Sequence, residues 1–289
     1  MLTIGLALPV ATPASGVAAR AGDTVSLSAA VTILDQAADT RPGTVTGWYV
    51  DTASRSVVVS VHGAADGVIE WARGHGVSAV TVEHVAELPR PLWDLVGGQP
   101  IRSDTGVQCT LGFNARSATA RYVLAAGHCL GGGGAGWYGV GGYIGPGAGS
   151  SFPTNDYGAI QVTSVAAVST PLVDRASGDV TISGVATPGV GASVCSSSPV
   201  SGWRCGSVTA INATVCYAQG CVYQLIRTTL CAEPGGSGAP VVTNPGAGTR
   251  AQAVGLVSGG SGNCTSGGTT YVQPVAEPLA VYGLTLVTG

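Results

Sequence analysis

The sequence contains no lysine and few charged residues of any kind. All twelve cationic residues of the 289-residue chain are arginine, and charged side chains make up 9% of it. A P-loop, a Schiff-base lysine and a Ser–Lys dyad are excluded, because each needs lysine. The formal net charge of −3 offers no basic surface for nucleic acid. No apolar run reaches the roughly 18 residues of a membrane-spanning helix, so we expect neither nucleic acid nor a membrane as a partner.

Cysteine is absent from the first 108 residues, and all eight cysteines follow. An even number in one region predicts disulfides and an oxidising, extracellular compartment. A zinc site is disfavoured, because no CxxC occurs and His128 is the single histidine of this region. We expect no metal and no cofactor, and the spacing leaves the pairing of the cysteines open.

Export is less clearly marked at the start of the chain. Residues 1–19 combine a short apolar run with small residues but lack a basic start. They are either a truncated signal peptide or an unstructured Ala/Pro tail.

The composition of the chain changes near residue 95. Before it, residues 45–61 predict a strand, a turn and a strand, Asp66 caps a helix that stops at Gly74, and residues 77–85 alternate like a third strand. A weak helix is predicted within the last dozen residues. Otherwise the second region is rich in glycine and has candidate strands typical of a sandwich or barrel, at residues 122–126, 159–162, 180–182, 221–226, 252–257 and 269–272.

Two copies of the letters GGSG raise the question of whether either serine is a nucleophile. They lie in "CAEPGGSGAP" at Cys231–Pro240 and in "VSGGSGNC" around Gly259–Gly262. A catalytic serine needs a base and a carboxylate that orients the base. Beyond residue 96 the base can only be His128, and Asp156 stands where a polar turn precedes an apolar strand. Together "LAAGHC", "NDYG" and "EPGGSGAP" follow the order His, Asp, Ser of chymotrypsin-type proteases.

These motifs, with "CTLGFNARS", "SGWRCGSVTAIN" and "SGGSGNCTSGGTTYVQPV", resemble the streptogrisin and alpha-lytic protease branch of the chymotrypsin-like serine proteases. The resemblance implies an all-β, chymotrypsin-like double β-barrel preceded by a small α+β prosegment. It also implies a secreted, monomeric serine endopeptidase that acts on polypeptide substrates and is made as a self-processed proenzyme.

The resemblance assigns roles to the residues around both GGSG copies. Ser237 would be the nucleophile, His128 the general base and Asp156 the group that orients the imidazole. The amides of Gly235 and Ser237 would form the oxyanion hole. In the second copy, the substrate-binding edge would be Ser258, Gly259 and Gly260, and Ser258 would also hold Asp156.

The mature start of the family resembles "LVGGQPI", which implies a cut between Leu95 and Val96. Residues 20–95 would then be a prosegment that assists folding and inhibits the protease, although a permanently attached accessory domain is the alternative. The protease domain would span residues 96–289, with barrel one at about 96–180 and barrel two at about 181–289. The resemblance also implies the disulfides Cys109–Cys129, Cys195–Cys205 and Cys231–Cys264, which leaves Cys216–Cys221.

The last 85 residues contain no aspartate and no histidine, and their acids are Glu233 and Glu277. A trypsin-like pocket needs an acid at its base, and relatives that select acidic residues use histidine. Glu233 matches a rim residue of the family, and Gly259 and Gly260 would leave the pocket walls open. We therefore predict a neutral pocket and cleavage after Phe, Tyr, Leu or Met.

The chain departs from the family pattern directly before the nucleophile. Relatives have GDSGGP, whereas Gly236 replaces the Asp and Ala239 replaces a Gly. The branch pairs that Asp with an Arg, and Ser196 stands at the Arg position. Deleting one partner of a buried ion pair costs about 3–5 kcal/mol, while replacing both can be nearly neutral. Two interpretations follow: an active endopeptidase, or a catalytically impaired protein that binds peptides along Ser258–Gly260.

Overall fold

A computed structural model describes residues 21–131 and 133–289, so the interpretation of residues 1–19 lies outside the described part. The chain divides into two compact units, one ending at Arg90 and the other spanning Pro91–Gly289. Within the described ranges, no helix has both the length and the apolar character needed to cross a membrane.

The first unit is an α+β fold around a three-stranded sheet. Its elements are helix α1 (Ala21–Gln36), strands β1 (Val45–Asp51) and β2 (Ser56–Val61), helix α2 (Val68–Gly74) and strand β3 (Val80–His84). In the sheet, β1 and β2 are antiparallel, and β2 and β3 are parallel. Valines of β2 and Leu34 of α1 share one buried core. The predicted strands and the helix α2 are therefore confirmed, whereas the sequence did not predict α1.

The predicted cap of α2 is wrong. The residue that caps the helix is Gly67, in the left-handed conformation with a φ of 72°, and the described structure shows no side-chain hydrogen bond at this cap. Glycine adopts this backbone conformation without the steric cost of a Cβ atom.

The second unit consists mainly of strands, with two short helices, α3 (Gly127–Leu130) and α4 (Ala276–Tyr282). In its first half the strands are β4 (Trp93–Gly97), β5 (Pro100–Ser103), β6 (Gln108–Thr110), β7 (Phe113–Arg116), β8 (Arg121–Ala125), β9 (Gly136–Gly139), β10 (Gly142–Ser151), β11 (Tyr157–Val162) and β12 (Ala167–Val173). In its second half they are β13 (Val180–Val185), β14 (Ser193–Ser198), β15 (Gly202–Tyr217), β16 (Gly220–Thr228), β17 (Pro240–Thr243), β18 (Arg250–Asn263), β19 (Gly267–Pro274) and β20 (Thr285–Leu286).

The strands of this unit form two sheets. One has the order β20-β7-β8-β11-β10-β9-β5-β6, and the other has the order β17-β14-β15-β16-β19-β18-β13-β12-β4. A further pairing of β17 with β18 closes six strands of the second sheet into a barrel. The predicted all-β class is confirmed, and each of the six candidate strands of this region lies at or within an observed strand.

Two details differ from the sequence analysis. Strands β4 and β12 pair with each other and, through β13, belong to the second sheet, while the late strand β20 pairs with β7 in the first. Helix α4 begins before the last dozen residues, and the chain after Tyr282 leaves the helix at Gly283, in the left-handed conformation. The predicted division at about residue 180 therefore divides the sequence, but each hydrogen-bonded sheet contains strands from both halves.

The core of the second unit holds the two sheets against each other. One cluster lies inside the first sheet around Trp137 and Ile160, and another lies inside the second around Val208 and Val241. A third cluster joins strands of both sheets, with Leu124, Tyr157 and Leu256 among its members. This shared core fixes β8 and β11 of one sheet against β18 of the other, and burying each large apolar side chain contributes about 1.5–3 kcal/mol.

Four disulfides reinforce this unit: Cys109–Cys129, Cys195–Cys205 and Cys231–Cys264, which the resemblance implies, and Cys216–Cys221, the pair left over. Cys216 and Cys221 are directly opposite each other at the end of the β15–β16 hairpin.

Candidate active site

The His128 side chain is held by the carboxylate of Asp156. Strand β8 ends at Ala125, and His128 follows in the first turn of α3, while Asp156 directly precedes β11. The Asp156 Oδ2 atom lies 2.8 Å from His128 Nδ1, and Oδ1 accepts the His128 backbone N–H at 2.9 Å. Gly127, directly before His128, lets the chain pass close to β10, because a Cβ atom there would lie 2.3 Å from a backbone oxygen of Ser151.

The carboxylate of Asp156 is fully buried and accepts a third donor from the other sheet. Ser258, in β18, donates its hydroxyl to Asp156 Oδ2 at 2.6 Å. The Asp156 backbone N–H donates to the side-chain oxygen of Gln273, in β19, at 2.8 Å. A buried carboxylate needs such donors, since an unpaired charge away from water is costly.

Tyr217 extends this hydrogen-bonded chain. Its hydroxyl lies 3.0 Å from Ser258 Oγ, and because Ser258 donates to Asp156, Tyr217 is the donor in this second bond. Burial raises the pKa of Tyr217; the bond with Ser258 opposes the increase, and the charge of Asp156 adds to it. Tyr217 therefore stays a neutral donor at physiological pH.

A small cavity of about 130 Å³ lies over this chain of hydrogen bonds. Its lining includes His128, Phe152 and Tyr217. The ring of Phe152 meets that of His128 edge to face, with 5.5 Å between centroids. The sequence analysis gave no role to Tyr217, Phe152 or Gln273, although Gln273 lies within the quoted motif "SGGSGNCTSGGTTYVQPV".

Ser237 lies in the turn before β17. The chain segments that contain His128 and Ser258 lie next to this turn. The next residue, Gly238, has a φ of 83°, and a Cβ atom on it would lie 3.0 Å from the backbone nitrogen of Ala126. Among the described side chains, no hydrogen bond joins Ser237 Oγ to His128. In enzymes without substrate, the bond between nucleophile and base is often long and shortens when substrate binds.

The residues before Ser237 form a β-turn. The Gly236 N–H donates to the Glu233 carbonyl at 2.9 Å, and Gly235 has a φ of 97°. Pro at the second position and a positive φ at the third define a type II turn, which favours glycine there. The backbone conformation therefore favours glycine at position 235.

The surroundings of Gly236 are neutral. A Cβ atom on Gly236 would lie 3.0 Å from the Glu233 carbonyl oxygen and 3.7 Å from Ser198 Oγ. Ser196 is buried in β14 opposite Arg204, which is exposed. Over the described ranges, no ion pair lies next to Gly236.

The segment Ser258–Gly260 has one unpaired edge. On one side Gly259 and Gly260 pair with β19, whereas the pairing of β18 with β17 ends at Leu256. Neither glycine has room for a side chain. A Cβ atom on Gly259 would lie 2.6 Å from the Tyr217 hydroxyl, and one on Gly260 would lie 2.3 Å from the Thr269 carbonyl oxygen. An edge left open in the described structure can accept an extended peptide as an added strand.

The residues of the expected cut, Leu95 and Val96, are buried in β4. The Leu95 carbonyl accepts hydrogen bonds from Asn114 and Thr170. Leu92, just before β4, is 67% exposed, and Asp94 is exposed as well, so burial begins at Leu95 itself.

The two-sheet fold and the pair of His128 with the buried Asp156 carboxylate define the chymotrypsin-like class of serine proteases. The alpha-lytic protease prodomain family matches residues 24–79. Streptogrisin-C of Streptomyces griseus is 41% identical over 88% of this chain, which spans 55% of that relative's length. Streptogrisin-A of the same organism is 38% identical over 84% of this chain and 78% of its own length. The crystal structure of Thermobifida fusca Protease A matches 68% of this chain and all of its own, with 41% identity and a TM-score of 0.61. The chain belongs to the streptogrisin and alpha-lytic protease branch of this class.

Proposed function

We propose that the protein is a secreted serine endopeptidase that works through an acyl-enzyme. Ser237 attacks the substrate carbonyl carbon while His128 accepts the Ser237 proton and then gives it to the leaving amine. Water, deprotonated by His128, then releases the acyl group, and Ser237 regains its proton. The observation that carries the proposal is the buried Asp156 carboxylate bonded to His128 Nδ1 at 2.8 Å, because it keeps the other ring nitrogen available as the base.

The amides of Gly235 and Ser237 stabilise the developing oxyanion. The type II turn at Glu233–Gly236 supports this role, since it sets the backbone conformation of Gly235, two residues before the nucleophile. Loss of one such donor typically lowers kcat by roughly 10²–10³.

Turnover of a peptide anilide that ends in Phe tests the proposal. The protein is produced with its prosegment and then freed of it, and wild type is compared with Ser237→Ala. Hydrolysis that disappears in Ser237→Ala is expected. A wild type that is folded, carries all four disulfides and shows no turnover would falsify the enzyme proposal.

That negative result would favour the second candidate, a protein that binds peptides without cleaving them. The observation for it is Gly236 with its neutral surroundings, where relatives carry a charged residue. The unpaired edge at Ser258–Gly260 would then bind peptide, which fluorescence anisotropy of a labelled peptide would measure directly.

The substrate residue before the scissile bond is large and apolar in this proposal. From residue 96 onward His128 is the single histidine, and the Glu233 carboxylate accepts the Cys264 backbone N–H at 2.8 Å. His128 is therefore not free to pair with an acidic substrate side chain, and Glu233 is not free to pair with a basic one. Anilides ending in Phe, Leu, Glu and Arg test this, and preference for Glu or Arg would overturn it.

Self-processing between Leu95 and Val96 releases the prosegment in this proposal. Both residues are buried in the described fold, so the cut must come before β4 pairs with β12, or β4 must detach. N-terminal sequencing of the secreted protein tests this. A mature chain starting at Val96 is expected, together with an uncut precursor for Ser237→Ala.

A further inference from the structure

The turn that contains Gly235 and Gly236 lacks the ion pair that would hold it in relatives. Two adjacent glycines are conformationally permissive, and a type I turn would place the third residue at a φ of about −90° instead of about +80°. The observed φ of 97° at Gly235 therefore needs support from outside the turn.

Thr110 provides two hydrogen bonds to this turn. It is fully buried at the end of β6, next to the Cys109–Cys129 disulfide. Its backbone N–H donates to the Ser237 carbonyl at 2.8 Å, and its hydroxyl donates to the Gly235 carbonyl at 2.8 Å. One residue thus holds both sides of Gly236.

The two acceptors belong to the same residues whose amides face the oxyanion in the proposed function. Holding the carbonyl of Gly235 limits the rotation of its neighbouring peptides, and the N–H of Thr110 does the same for Ser237. Thr110 is itself fixed by its pairing with Pro100 and by the adjacent disulfide. Preorganised donors are effective because they need no rearrangement when charge develops.

We propose that Thr110 is a positioning residue of the oxyanion hole, and that its hydroxyl takes the place of the missing ion pair. This inference rests on the proposed function. Thr110 touches no reacting atom in this account, so its effect is expected in kcat and in the binding of tetrahedral adducts.

The experiment compares Thr110→Val, Thr110→Ser and a matched control, Thr228→Val. Valine keeps the shape of threonine and the backbone bond to Ser237 but removes the hydroxyl. Thr228 is buried in β16 and also donates its hydroxyl to a backbone carbonyl, that of Thr270 at 3.0 Å, outside the oxyanion turn. Each protein is freed of its prosegment, and melting temperature verifies folding.

Thr110→Val should lower kcat by between roughly tenfold and the roughly 100-fold loss of one oxyanion donor, with KM nearly unchanged. A peptide aldehyde, which forms a tetrahedral adduct with the serine, should lose affinity by a similar factor. A non-reactive peptide competitor should keep its affinity. Thr110→Ser should restore most of kcat, the pH profile should stay the same, and Thr228→Val should match wild type.

The outcomes separate this inference from the proposed function. An inactive wild type contradicts the proposed function itself. An active wild type with equal kcat for a folded Thr110→Val overturns the role of Thr110 alone, as would equal losses in kcat and non-reactive peptide binding. If Thr110→Val does not fold, Thr110→Ala and Thr110→Ser measure the same hydroxyl, and equal kcat in these two would overturn the inference.

Discussion

The carboxylate that orients His128 and the turn that precedes Ser237 are held by different kinds of hydrogen bond. Asp156 is an ionisable group buried between two sheets and accepts bonds from His128 and Ser258. The turn before Ser237 contains two glycines and is held by neutral bonds, among them the two from Thr110. Bonds to a charged group are stronger, and their loss leaves a buried charge without a partner. We call the Asp156–His128 pair with its donors the base side, and the turn before Ser237 the nucleophile side. Activity should therefore depend on charge and donors at the base side, and on backbone conformation at the nucleophile side.

The largest effect is expected when the charge of Asp156 is removed. Asp156→Asn keeps the shape of the side chain but favours the wrong tautomer of His128, so kcat should fall by roughly 10⁴. Steady-state hydrolysis of the Phe anilide measures this, and near-ultraviolet circular dichroism verifies that the variant is folded. A folded variant that keeps more than about a tenth of wild-type kcat would show that His128 works without Asp156.

Two neighbouring alanine substitutions examine the nucleophile side. Gly235→Ala forces a Cβ atom onto a residue with a φ of 97°, so the turn should change and kcat should fall by roughly 10²–10³. Gly236 does not have a positive φ. A Cβ atom there would have one short contact, at 3.0 Å from the Glu233 carbonyl oxygen. Gly236→Ala should therefore keep kcat within a few-fold.

The same anilide assay measures both variants. Equal losses from the two substitutions would contradict the difference between them, because the turn would then depend on small side-chain volume at both positions. Retained activity in Gly235→Ala would remove its amide from the proposed oxyanion hole.

A smaller effect is expected from Ser258→Ala, which removes one donor from the buried carboxylate. A hydrogen bond to a charged group contributes about 1.5–3 kcal/mol, so unfolding in urea should show a loss of this size. Expressed in the transition state, such a loss lowers kcat by roughly tenfold or more. Ser183→Ala is the matched control, since Ser183 donates to the neutral Ala251 carbonyl at 3.1 Å. Equal destabilisation in the two variants would argue against a special role for the Asp156 charge.

Local sequence patterns predicted much of the fold, because strands and turns depend on neighbouring residues, and the resemblance to a family implied the proposed triad. Short segments separated by turn residues marked the strands of the second unit, and the glycine of "AAGHC" proved necessary for close backbone approach. Helix α1 was missed, since its Thr, Val and Ser residues have modest helix propensity and its stability comes from packing around Leu34.

The supporting residues of the site could not be predicted, because their contacts join distant parts of the chain. Tyr217 meets Ser258 across 41 residues, Gln273 meets Asp156 across 117, and Thr110 meets Gly235 across 125. A hydrogen bond of this kind depends on the register of packed sheets, which no local motif encodes. The assignment of β4 and β12 to the second sheet has the same cause.

The smallest effect is expected from Tyr217→Phe, which shortens the chain of bonds by its outermost donor. Ser258 still donates to Asp156, so kcat should fall only a few-fold, as expected for one neutral hydrogen bond. Tyr282→Phe is the control: burial raises the pKa of Tyr282 as well, while Tyr157 rather than Asp156 adds to the increase. A change in kcat for Tyr217→Phe alone would place Tyr217 in the support of Asp156, and equal kcat in all three proteins would exclude it.

The pH dependence of stability checks the same residue in another way. Because folding raises the pKa of Tyr217 above its ordinary value of 10.0, the neutral hydroxyl stabilises the fold below about pH 10. That contribution is lost as the pH rises through the pKa of the folded state. Wild type should therefore lose more stability to urea than Tyr217→Phe as the pH rises from 9 to above about 10. Parallel losses in the two proteins would mean that Tyr217 titrates alike in the folded and unfolded chains. The chain of hydrogen bonds that supports Asp156 would then end at Ser258.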